Sequence, residues 1–375
     1  MTKTEKLLRE LIALPSVNPA FLPPQDRNAG EQRVAEFLAA TAARAGLDVE
    51  FKPVSAGRSN MLARLSPRGK VRQRVLLAPH MDTVNAAPDQ FDPVRRNGRL
   101  FGRGACDTKG SIAAMLGALC ELATGAGRPV DTEVVFAALV DEEQGQAGSR
   151  ALVADGFDAD LAIVGEPTLC QVVTAHKGTL WMKLETCGKA AHGSWPELGS
   201  NAVHSMARVV DVLQTSYAAA LRRRRHPLLG FATVSVGAIR GGTQANVVPD
   251  RCTIQIDRRT LPGETEMGVR RELNAVLRRE KLSVSYVHDA LPVCAPMETN
   301  VRLPLVARFL KSMGQRRPLG VRYFCDASVL AQGGIPSVVF GPGNIAQAHT
   351  VDEWISLAEL ERAKAMLRRF LLSFS

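Results

Sequence analysis

Short apolar runs alternate with helical patterns through the first part of the chain. The runs that predict strands are VEFKPV, NMLARLS, VLLAP (75–79), VVFAALV beginning at Val134, and LAIVG. A continuous apolar run is typical of a strand that is buried on both faces of a sheet. Apolar residues at helical spacing predict helices over residues 4–13, 30–46 and 109–124. This alternation predicts an α/β fold.

The pattern changes over residues 178–291. Its predicted elements are a strand at GTLWMKLETCGK, a helix at NAVHSMARVVDVLQTSYAAAL, strands at TVSVGAIRGG and RCTIQIDRRTL, a helix at ETEMGVRRELNAVLRRE and a strand at LSVSYVHDAL. The order β-α-β-β-α-β is that of a ferredoxin-like module. We therefore expect 178–291 to be inserted into a discontinuous outer domain made of 1–177 and 292–375, whose returning part carries a helix near 303–313, the strand PSVVFG and a C-terminal helix.

Composition is that of an ordinary globular protein. The 375 residues favour two domains, and no apolar stretch approaches the roughly 20 residues of a membrane span. The amphipathic N-terminus, MTKTEKLLRELIAL, does not resemble a signal peptide. The seven cysteines are scattered and include no CxxC pair. We therefore expect no disulfide framework, no thiolate zinc site and no membrane partner, and we expect a cytoplasmic location.

The chain is basic, with 47 Lys and Arg against 37 Asp and Glu, a net charge of +10. This balance favours anionic ligands, and Arg222 to Arg225 form a run that makes nucleic acid the obvious rival. However, the run ends a predicted helix, where cations suit the helix dipole, and aromatic residues are only 5% of the chain. We interpret the run as a solvated helix end and expect no nucleic-acid partner.

Potential metal ligands stand at the ends of the buried strands of the outer domain. They are His80, the Glu142–Glu143 pair, Glu166 and, after a loop, His349. Ligands of open α/β sheets gather outside the carboxyl ends of the strands, so we expect these side chains to meet in one cleft. Histidine and carboxylate without cysteine suit zinc, cobalt or manganese in a site with open positions, which is a catalytic arrangement.

Three adjacent carboxylates follow one of these strands, at Asp141, Glu142 and Glu143. They repel one another, so a nearby cation or shared proton would favour their packing. Successive residues of extended chain point to opposite sides, so one glutamate can bind a cation while the other handles a proton. An exposed acidic turn explains this stretch, taken alone, equally well.

The roles of two aspartates can be predicted from their immediate neighbours in the sequence. His80 and Asp82 form an H-x-D pair in which Asp82 can accept the second ring N–H of a metal-bound His80. Asp107 lies in the loop GRLFGRGACDTKG, whose glycines permit unusual backbone geometry. Taken alone, Asp107 is predicted to be the N-cap of the helix that follows.

These motifs, in their order, resemble the M20 zinc peptidase/deacylase family, and in particular its acetylornithine deacetylases and succinyl-diaminopimelate desuccinylases. The resemblance covers nearly the whole chain and rests on APHMDTV, GRGACDTKGS, VDEEQG, VGEPT, AAHGS, NVVPD, DRRTLPGE and a late AHT. It implies a zinc-peptidase-like mixed-sheet catalytic domain, an inserted ferredoxin-like lid or dimerisation domain over 178–291, and a homodimer.

The resemblance also implies two divalent metal ions, Zn²⁺ foremost and Co²⁺ as the alternative. Their ligands would be His80 and Glu166 for one ion and Glu143 and His349 for the other, with Asp107 bridging them and with Glu142 and Asp82 as further catalytic residues. Glu142 would be the general base. It would take a proton from water and deliver it to the leaving amine.

Three residues of the inserted module match lid residues of that family. His192 would stabilise the oxyanion, and Asn246 and Arg259 would hold the substrate carboxylate. Strand alternation places Arg259 on the side opposite Arg258, and a guanidinium fork matches a carboxylate bidentately. The chain departs from many relatives at Met81, and at residues 324–327, which read FCDA in place of Gly-x-Ser-Asp. Both departures bear on substrate choice.

The resemblance favours a metal-dependent amidohydrolase that removes an N-acyl group from an amino acid, as acetylornithine deacetylase does. Desuccinylation of a diaminopimelate precursor and cleavage of short peptides, as by a di- or carboxypeptidase, are the alternatives within the same class. A catalytically silent binding protein on this fold is the alternative of another class. A serine hydrolase is not expected, because the chain has no G-x-S-x-G motif.

Overall fold

The computed structural model describes residues 1–125, 127–287 and 293–375. The chain divides into two compact units, of which the first comprises Met1–Thr174, Thr299–Leu319 and Cys325–Ser375. The second comprises Ala175–Glu298 and Gly320–Phe324. The predicted end of the inserted domain, residue 291, lies outside the described residues. The assignment of 178–291 as a lid or dimerisation domain stays a prediction.

The described residues form sixteen strands and ten α-helices, which are numbered in chain order. The strands are β1 Asp48–Ser55, β2 Arg58–Leu65, β3 Gln73–Pro79, β4 Val94–Arg96, β5 Arg99–Phe101, β6 Thr132–Ala138, β7 Leu161–Gly165, β8 Val173–His176, β9 Gly178–Cys187, β10 Thr233–Gly241, β11 Arg251–Thr260, β12 Ser285–Val287, β13 Met297–Glu298, β14 Leu319–Val321, β15 Ser337–Val339 and β16 Trp354–Ser356. The helices are α1 Lys3–Ile12, α2 Gln32–Arg44, α3 Lys109–Thr124, α4 Ala147–Ala154, α5 Ala202–Val212, α6 Ala218–Arg222, α7 Glu266–Arg279, α8 Pro304–Ser312, α9 Ala327–Gln332 and α10 Leu357–Leu372. Short 3₁₀ turns occupy Pro19–Phe21, Pro88–Phe91, Pro196–Leu198 and Ile345–Gln347.

The first unit is built on a mixed sheet with the strand order β1-β2-β6-β3-β7-β15-β8. Strand β3 is parallel to both β6 and β7, and β15 is parallel to β7, whereas β1 and β2 are antiparallel. Every residue of β6 and β7 is buried, which explains their continuous apolar sequences. The predicted fold class, α/β with a mixed sheet, is confirmed.

Helices α1, α3, α8 and α10 contribute to one hydrophobic core in this unit. The rings of Phe309 and Phe370 meet edge to face with centroids 4.8 Å apart, and Phe309 also contacts Phe340. Gly110, in the first turn of α3, lies so close to the preceding loop that a Cβ there would stand 2.6 Å from the carbonyl oxygen of Ala105. A side chain at position 110 would therefore displace the loop that carries Asp107.

The second unit contains an antiparallel sheet with the order β10-β11-β9-β12 and helices α5, α6 and α7. Its elements follow one another in the predicted β-α-β-β-α-β order. The predicted helix over 201–221 contains a π turn, Leu213–Tyr217, between α5 and α6. Only Ser285–Val287 of the predicted strand LSVSYVHDAL is seen as a strand, and residues 288–291 lie outside the described residues.

Two segments can be compared with their sequence predictions, one before α3 and one at the end of α6. The segment GRLFGRGACDTKG, predicted to be a loop, begins with β5, which pairs with β4 and β16 in a separate three-stranded sheet. These strands have three residues each, too few for an alternating pattern to be recognised. The run Arg222–Arg225 begins at the last residue of α6, as predicted. None of the helices among the described residues combines the length and the apolar character that a membrane span requires.

Candidate metal centre

The carboxyl ends of β3, β6 and β7 bring the acidic and histidine side chains of the first unit together. Because these strands are parallel neighbours, the residues that follow them emerge at one edge of the sheet. His80 directly follows β3 and forms a bridge with Leu139, just beyond β6. Glu166 directly follows β7. The convergence predicted from the strand ends is therefore present in the fold.

Two groups of three side chains at this edge could each hold a metal ion. The first is His80, Glu142 and Glu166, the second is Asp107, Glu143 and His349, and within each group the ligand atoms lie within 4.8 Å of one another. All five predicted metal ligands and the predicted base are thus found in one region. An exposed acidic turn does not describe the pair at 142 and 143, because Glu143 is only 6% exposed and faces His349.

Asp107 stands between the two groups. Its Oδ1 lies 3.1 Å from Nε2 of His80, and its Oδ2 lies 3.4 Å from Nε2 of His349. Glu166 Oε1 lies 3.8 Å from the same His80 nitrogen, and Glu143 Oε2 lies 3.1 Å from His349 Nε2. Each oxygen of Asp107 therefore faces a different histidine, and each histidine faces a further glutamate.

The electrostatics of the group fit divalent cations. Among the described residues, the buried Oε1 atoms of Glu143 and Glu166 have no hydrogen-bond partner. Burial raises the pKa of Glu142 and Glu166 well above the usual range, and the neighbouring carboxylates raise it further although His80 acts in the opposite direction. Hydrogen bonds to Asp107 and Glu143 raise the pKa of His349 to about 10. Bound cations would replace the protons in neutralising these buried carboxylates.

Burial also opposes the charged form of His80, but its hydrogen bonds to Asp107 and Asp82 hold the pKa well above the usual range. The counterpart is Asp107, whose pKa stays below its usual range despite burial because His349 and His80 donate to it. Imidazole and carboxylate thus stabilise each other's charged forms. These are the groups that must lose protons when a metal binds.

The loop before α3 is shaped by Glu353, a residue that the sequence analysis did not identify. Its carboxylate accepts the main-chain N–H groups of Gly104 (2.9 Å), Cys106 (2.7 Å) and Asp107 (2.9 Å), and it pairs with Arg103 at 2.8 Å. The Asp107–Thr108 peptide bond is cis. Asp107 is not the N-cap of α3, since Thr108 occupies that position without a side-chain cap bond. That local interpretation was wrong.

Asp82 does more than the H-x-D spacing predicts. The ring Nδ1 of His80 lies 3.0 Å from the main-chain oxygen of Asp82 and 3.4 Å from its carboxylate, so the main chain is the nearer acceptor. The carboxylate accepts the N–H groups of Glu142 and Glu143, each at 3.1 Å, and the amide of Asn18 at 2.8 Å. Asp82 therefore orients both the histidine and the acidic turn. Asn18 carries no sequence signal for this role.

The predicted lid residues lie in the second unit. His192 and Asn246 are brought together, because Gly193 N–H donates to the main-chain oxygen of Asn246 at 2.7 Å. The hydroxyl of Ser194 lies 2.7 Å from Nδ1 of His192, and the Ser194 N–H donates to the same nitrogen at 3.2 Å. The side chains of His192, Ser194 and Asn246 are exposed.

Arg259 lies on β11, on the side opposite Arg258, as the alternation predicted. Arg258 is completely buried against Tyr217 and Glu264, whereas the Arg259 side chain is 28% exposed. Asp257 pairs with Arg259 at 2.9 Å on the same strand side. The Arg259 guanidinium also lies 5.7 Å from the ring centroid of Phe324, one of the positions that depart from the family pattern.

The other positions that depart from the family pattern are buried in the first unit. Met81 and Cys325 are inaccessible to solvent or nearly so. Asp326 accepts the hydroxyl of Ser149 at 2.6 Å, and burial raises its pKa to about 7. The Asp326 carboxylate is close enough to the acidic cluster to raise the pKa of Glu142 and Glu166.

Comparison with known proteins identifies the relatives of the chain. The profile of the family described as Peptidase family M20/M25/M40 matches residues 76–373. An acetylornithine deacetylase of Proteus mirabilis (strain HI4320) is 31% identical over 385 aligned positions, which cover 98% of this chain and 96% of that protein. An acetylornithine deacetylase of Myxococcus xanthus is 32% identical and covers 84% of each chain.

Solved structures share the fold at lower identity. Aminopeptidase PepT from Bacillus cereus ATCC 10987 superposes with a TM-score of 0.80 at 21% identity, covering 99% of this chain and 98% of that one. Bacillus subtilis YXEP protein, described as a dinuclear metal binding peptidase from the M20 family, superposes with a TM-score of 0.73 at 13% identity, covering 99% and 97%. Because the profile match spans most of its length, the chain belongs to peptidase family M20/M25/M40 and is a hydrolase of that family.

Proposed function

We propose that the protein is a two-metal amidohydrolase that removes the N-acyl group from an amino acid, with an activity like that of acetylornithine deacetylase. The observation that carries the proposal is the position of Asp107, whose two oxygens face His80 and His349 separately. A carboxylate placed in this way is suited to bridge two cations. The relatives named acetylornithine deacetylase support the choice of reaction.

We propose Zn²⁺ as the metal, with Co²⁺ as the alternative, because the ligands are imidazole and carboxylate without thiolate. His80 and Glu166 would hold one ion and Glu143 and His349 the other, with Asp107 shared between them. When bound, the cations supply Lewis-acid activation of water and of the scissile carbonyl.

Glu142 is proposed to move the proton. It accepts a proton from the attacking water and returns it to the nitrogen of the leaving amine. Burial raises its pKa well above the usual range of a glutamate, and cations nearby act in the opposite direction. A carboxyl group subject to these two opposing influences is suited both to accept a proton and to release it. The Asp82 carboxylate holds the N–H of Glu142, which fixes the direction of the side chain.

His192 is proposed to stabilise the oxyanion. Because the Ser194 N–H donates to Nδ1, the proton of the neutral ring sits on Nε2, which is then a hydrogen-bond donor. Such a donor suits a tetrahedral oxyanion. Asn246 and the planar fork of Arg259 are proposed to bind the free carboxylate of the substrate. The substrate would be a small N-acylated amino acid or a short peptide.

We also propose a cytoplasmic homodimer that associates through residues 178–291. Strand β10 is an edge of the described four-stranded sheet, and its residues are exposed or half-buried along the whole strand. An edge strand offers unpaired N–H and C=O groups, and self-association is a common way to cover them. The cytoplasmic location follows from the scattered, odd set of cysteines.

The test is a substrate panel with chelated and metal-reconstituted protein. We expect chelation to abolish hydrolysis of N-acetyl-ornithine and Zn²⁺ or Co²⁺ to restore it, because the proposed mechanism has no protein nucleophile. Full turnover by metal-free protein would refute the two-metal proposal. Preference for N-succinyl-diaminopimelate or for dipeptides would assign the alternative reactions. Tight substrate binding by metal-loaded protein without hydrolysis would favour a binding protein.

A further inference from the structure

The acidic turn that follows β6 is held by carboxylates from two distant segments. The N–H of Asp141 donates to Oε1 of Glu31 at 3.2 Å. The next two N–H groups, of Glu142 and Glu143, donate to the two oxygens of Asp82, each at 3.1 Å. Three consecutive N–H groups are therefore fixed by partners outside the turn. The direction of each glutamate side chain depends on this anchoring.

Asp141 itself has the left-handed backbone conformation, with φ of 68°. Residues other than glycine adopt this region rarely, so the surrounding contacts must hold Asp141 in place. Its main-chain oxygen accepts the N–H groups of Gly145 (3.1 Å) and Gln146 (2.6 Å). Its carboxylate accepts Nη1 of Arg58 at 2.7 Å and the amide of Asn18 at 3.0 Å.

Arg58 connects the carboxylates of Glu31 and Asp141. Its Nε donates to Glu31 Oε2 at 2.9 Å, its Nη2 donates to Glu31 Oε1, and its Nη1 donates to Asp141. Glu31 is 1% exposed and Arg58 is 15% exposed. Among the described residues, Arg58 is the only lysine or arginine within ion-pair distance of either carboxylate. A planar fork satisfies two carboxylates in fixed directions, which an ammonium group cannot do.

We infer that Arg58 is a positioning residue for Glu142. It belongs to neither metal group and acts by clamping Glu31 and Asp141, and through them the main chain that carries Glu142. The inference rests on the proposed role of Glu142 as the base. A shift of about 1 Å in a reacting group can lower the rate about 100-fold. Loss of the Arg58 contacts is therefore expected to lower the rate of the chemical step more than it weakens substrate binding.

The test compares full-length Arg58→Lys with wild-type protein at saturating Zn²⁺. We expect kcat to fall about 10- to 100-fold while KM changes by less than about twofold and metal content is unchanged. Hydrogen exchange should accelerate in the segment 139–146 and not elsewhere. The matched control is Arg64→Lys on the same strand, where Arg64 pairs with the half-exposed Glu50 at 3.2 Å. It should change none of these quantities.

An unchanged kcat in Arg58→Lys would overturn the inference. So would parallel losses of thermal stability, metal content and exchange protection across the first unit, which would indicate a general structural role. If Arg58→Lys does not fold, Glu31→Gln removes one charge of the clamp and should show the same local effects. If wild-type protein hydrolyses none of the substrates, the proposed function fails. The exchange measurement still decides whether Arg58 fixes the turn.

Discussion

At the scale of single residues, the site contains more carboxylate than imidazole side chains. Asp107, Glu142, Glu143 and Glu166 face two histidines, so without cations the group must retain protons. Burial makes this requirement stronger for the glutamates, whose pKa values are raised. Metal affinity should therefore decrease on acidification, because protons and cations compete for the same oxygens and nitrogens.

The two adjacent glutamates should respond differently to the same change. Glu142→Gln removes the proposed base and should lower kcat about 10²- to 10⁴-fold with full metal content. Glu143→Gln replaces an oxygen of a proposed metal ligand with an amide and should reduce metal content first. Metal analysis of both purified variants, beside kcat at saturating Zn²⁺, checks the assignment. The reverse result would mean that the two roles are exchanged.

Arg259→Lys should impair substrates that carry a free α-carboxylate more than the same substrates with that group amidated. A lysine keeps the charge, but it cannot form the bidentate contact. The ratio of kcat/KM between the paired substrates measures the effect. Arg251→Lys is the matched control, because Arg251 lies on the same strand and is largely exposed. Equal losses on both substrates would show that Arg259 serves the sheet and not the ligand.

The periodicity of the sequence predicted the orientation of some side chains near the site but gave no signal for others. Strand alternation separated Arg258 from Arg259 because burial of one face of β11 leaves a period of two in the sequence. Asn18 and Arg58 left no such signal, since their partners lie 64 and 83 residues away. Only the folded chain shows that one amide serves both Asp82 and Asp141.

At the scale of elements, the long buried strands were predictable and the short ones were not. Strands β3, β6 and β7 have continuous apolar sequences, and their ends indicated the site. The pairing of β16 with β5 brings Glu353 beside the Asp107 loop, and the N–H of Gly102 donates to the main-chain oxygen of Glu353 at 3.0 Å. Because these three-residue strands leave no recognisable pattern in the sequence, the sequence does not indicate the role of Glu353.

Glu353→Gln should destabilise the first unit. The carboxylate is 1% exposed, accepts three N–H groups and pairs with Arg103, so its loss leaves a buried cation without its partner. Breaking a buried pair in this way costs about 3 to 5 kcal/mol. Urea unfolding measures the loss, and metal content should fall with it. Glu121→Gln on α3, whose ion pair with Lys364 is partly exposed, should cost less than about 1 kcal/mol.

At the scale of the whole molecule, the proposed chemistry draws on both units. The proposed metal ligands lie in the first unit, and His192, Asn246 and Arg259 lie in the second. If the protein is a dimer, the second unit that serves a given metal centre can belong to either subunit. His192→Ala should lower kcat about 10²- to 10³-fold and leave metal content unchanged, because His192 is not among the proposed metal ligands.

Mixing His192→Ala with Glu142→Gln under conditions that exchange subunits assigns the histidine to a subunit. If His192 acts on the partner subunit, one site of each mixed dimer has both residues intact and activity returns. Activity that stays absent after exchange has been verified by mass spectrometry assigns it to its own chain. Each variant mixed with itself is the control.

The first unit is interrupted by the second along the chain, and this has a consequence for biosynthesis. Strand β15 lies between β7 and β8 in the sheet, although nearly the whole second unit is made between β8 and β15. A nascent chain that has just completed β8 therefore lacks a central strand, His349 and Glu353. His349, one of the proposed metal ligands, and Glu353 are made only after nearly the whole second unit. A chain released before these residues are made therefore lacks part of the proposed metal centre.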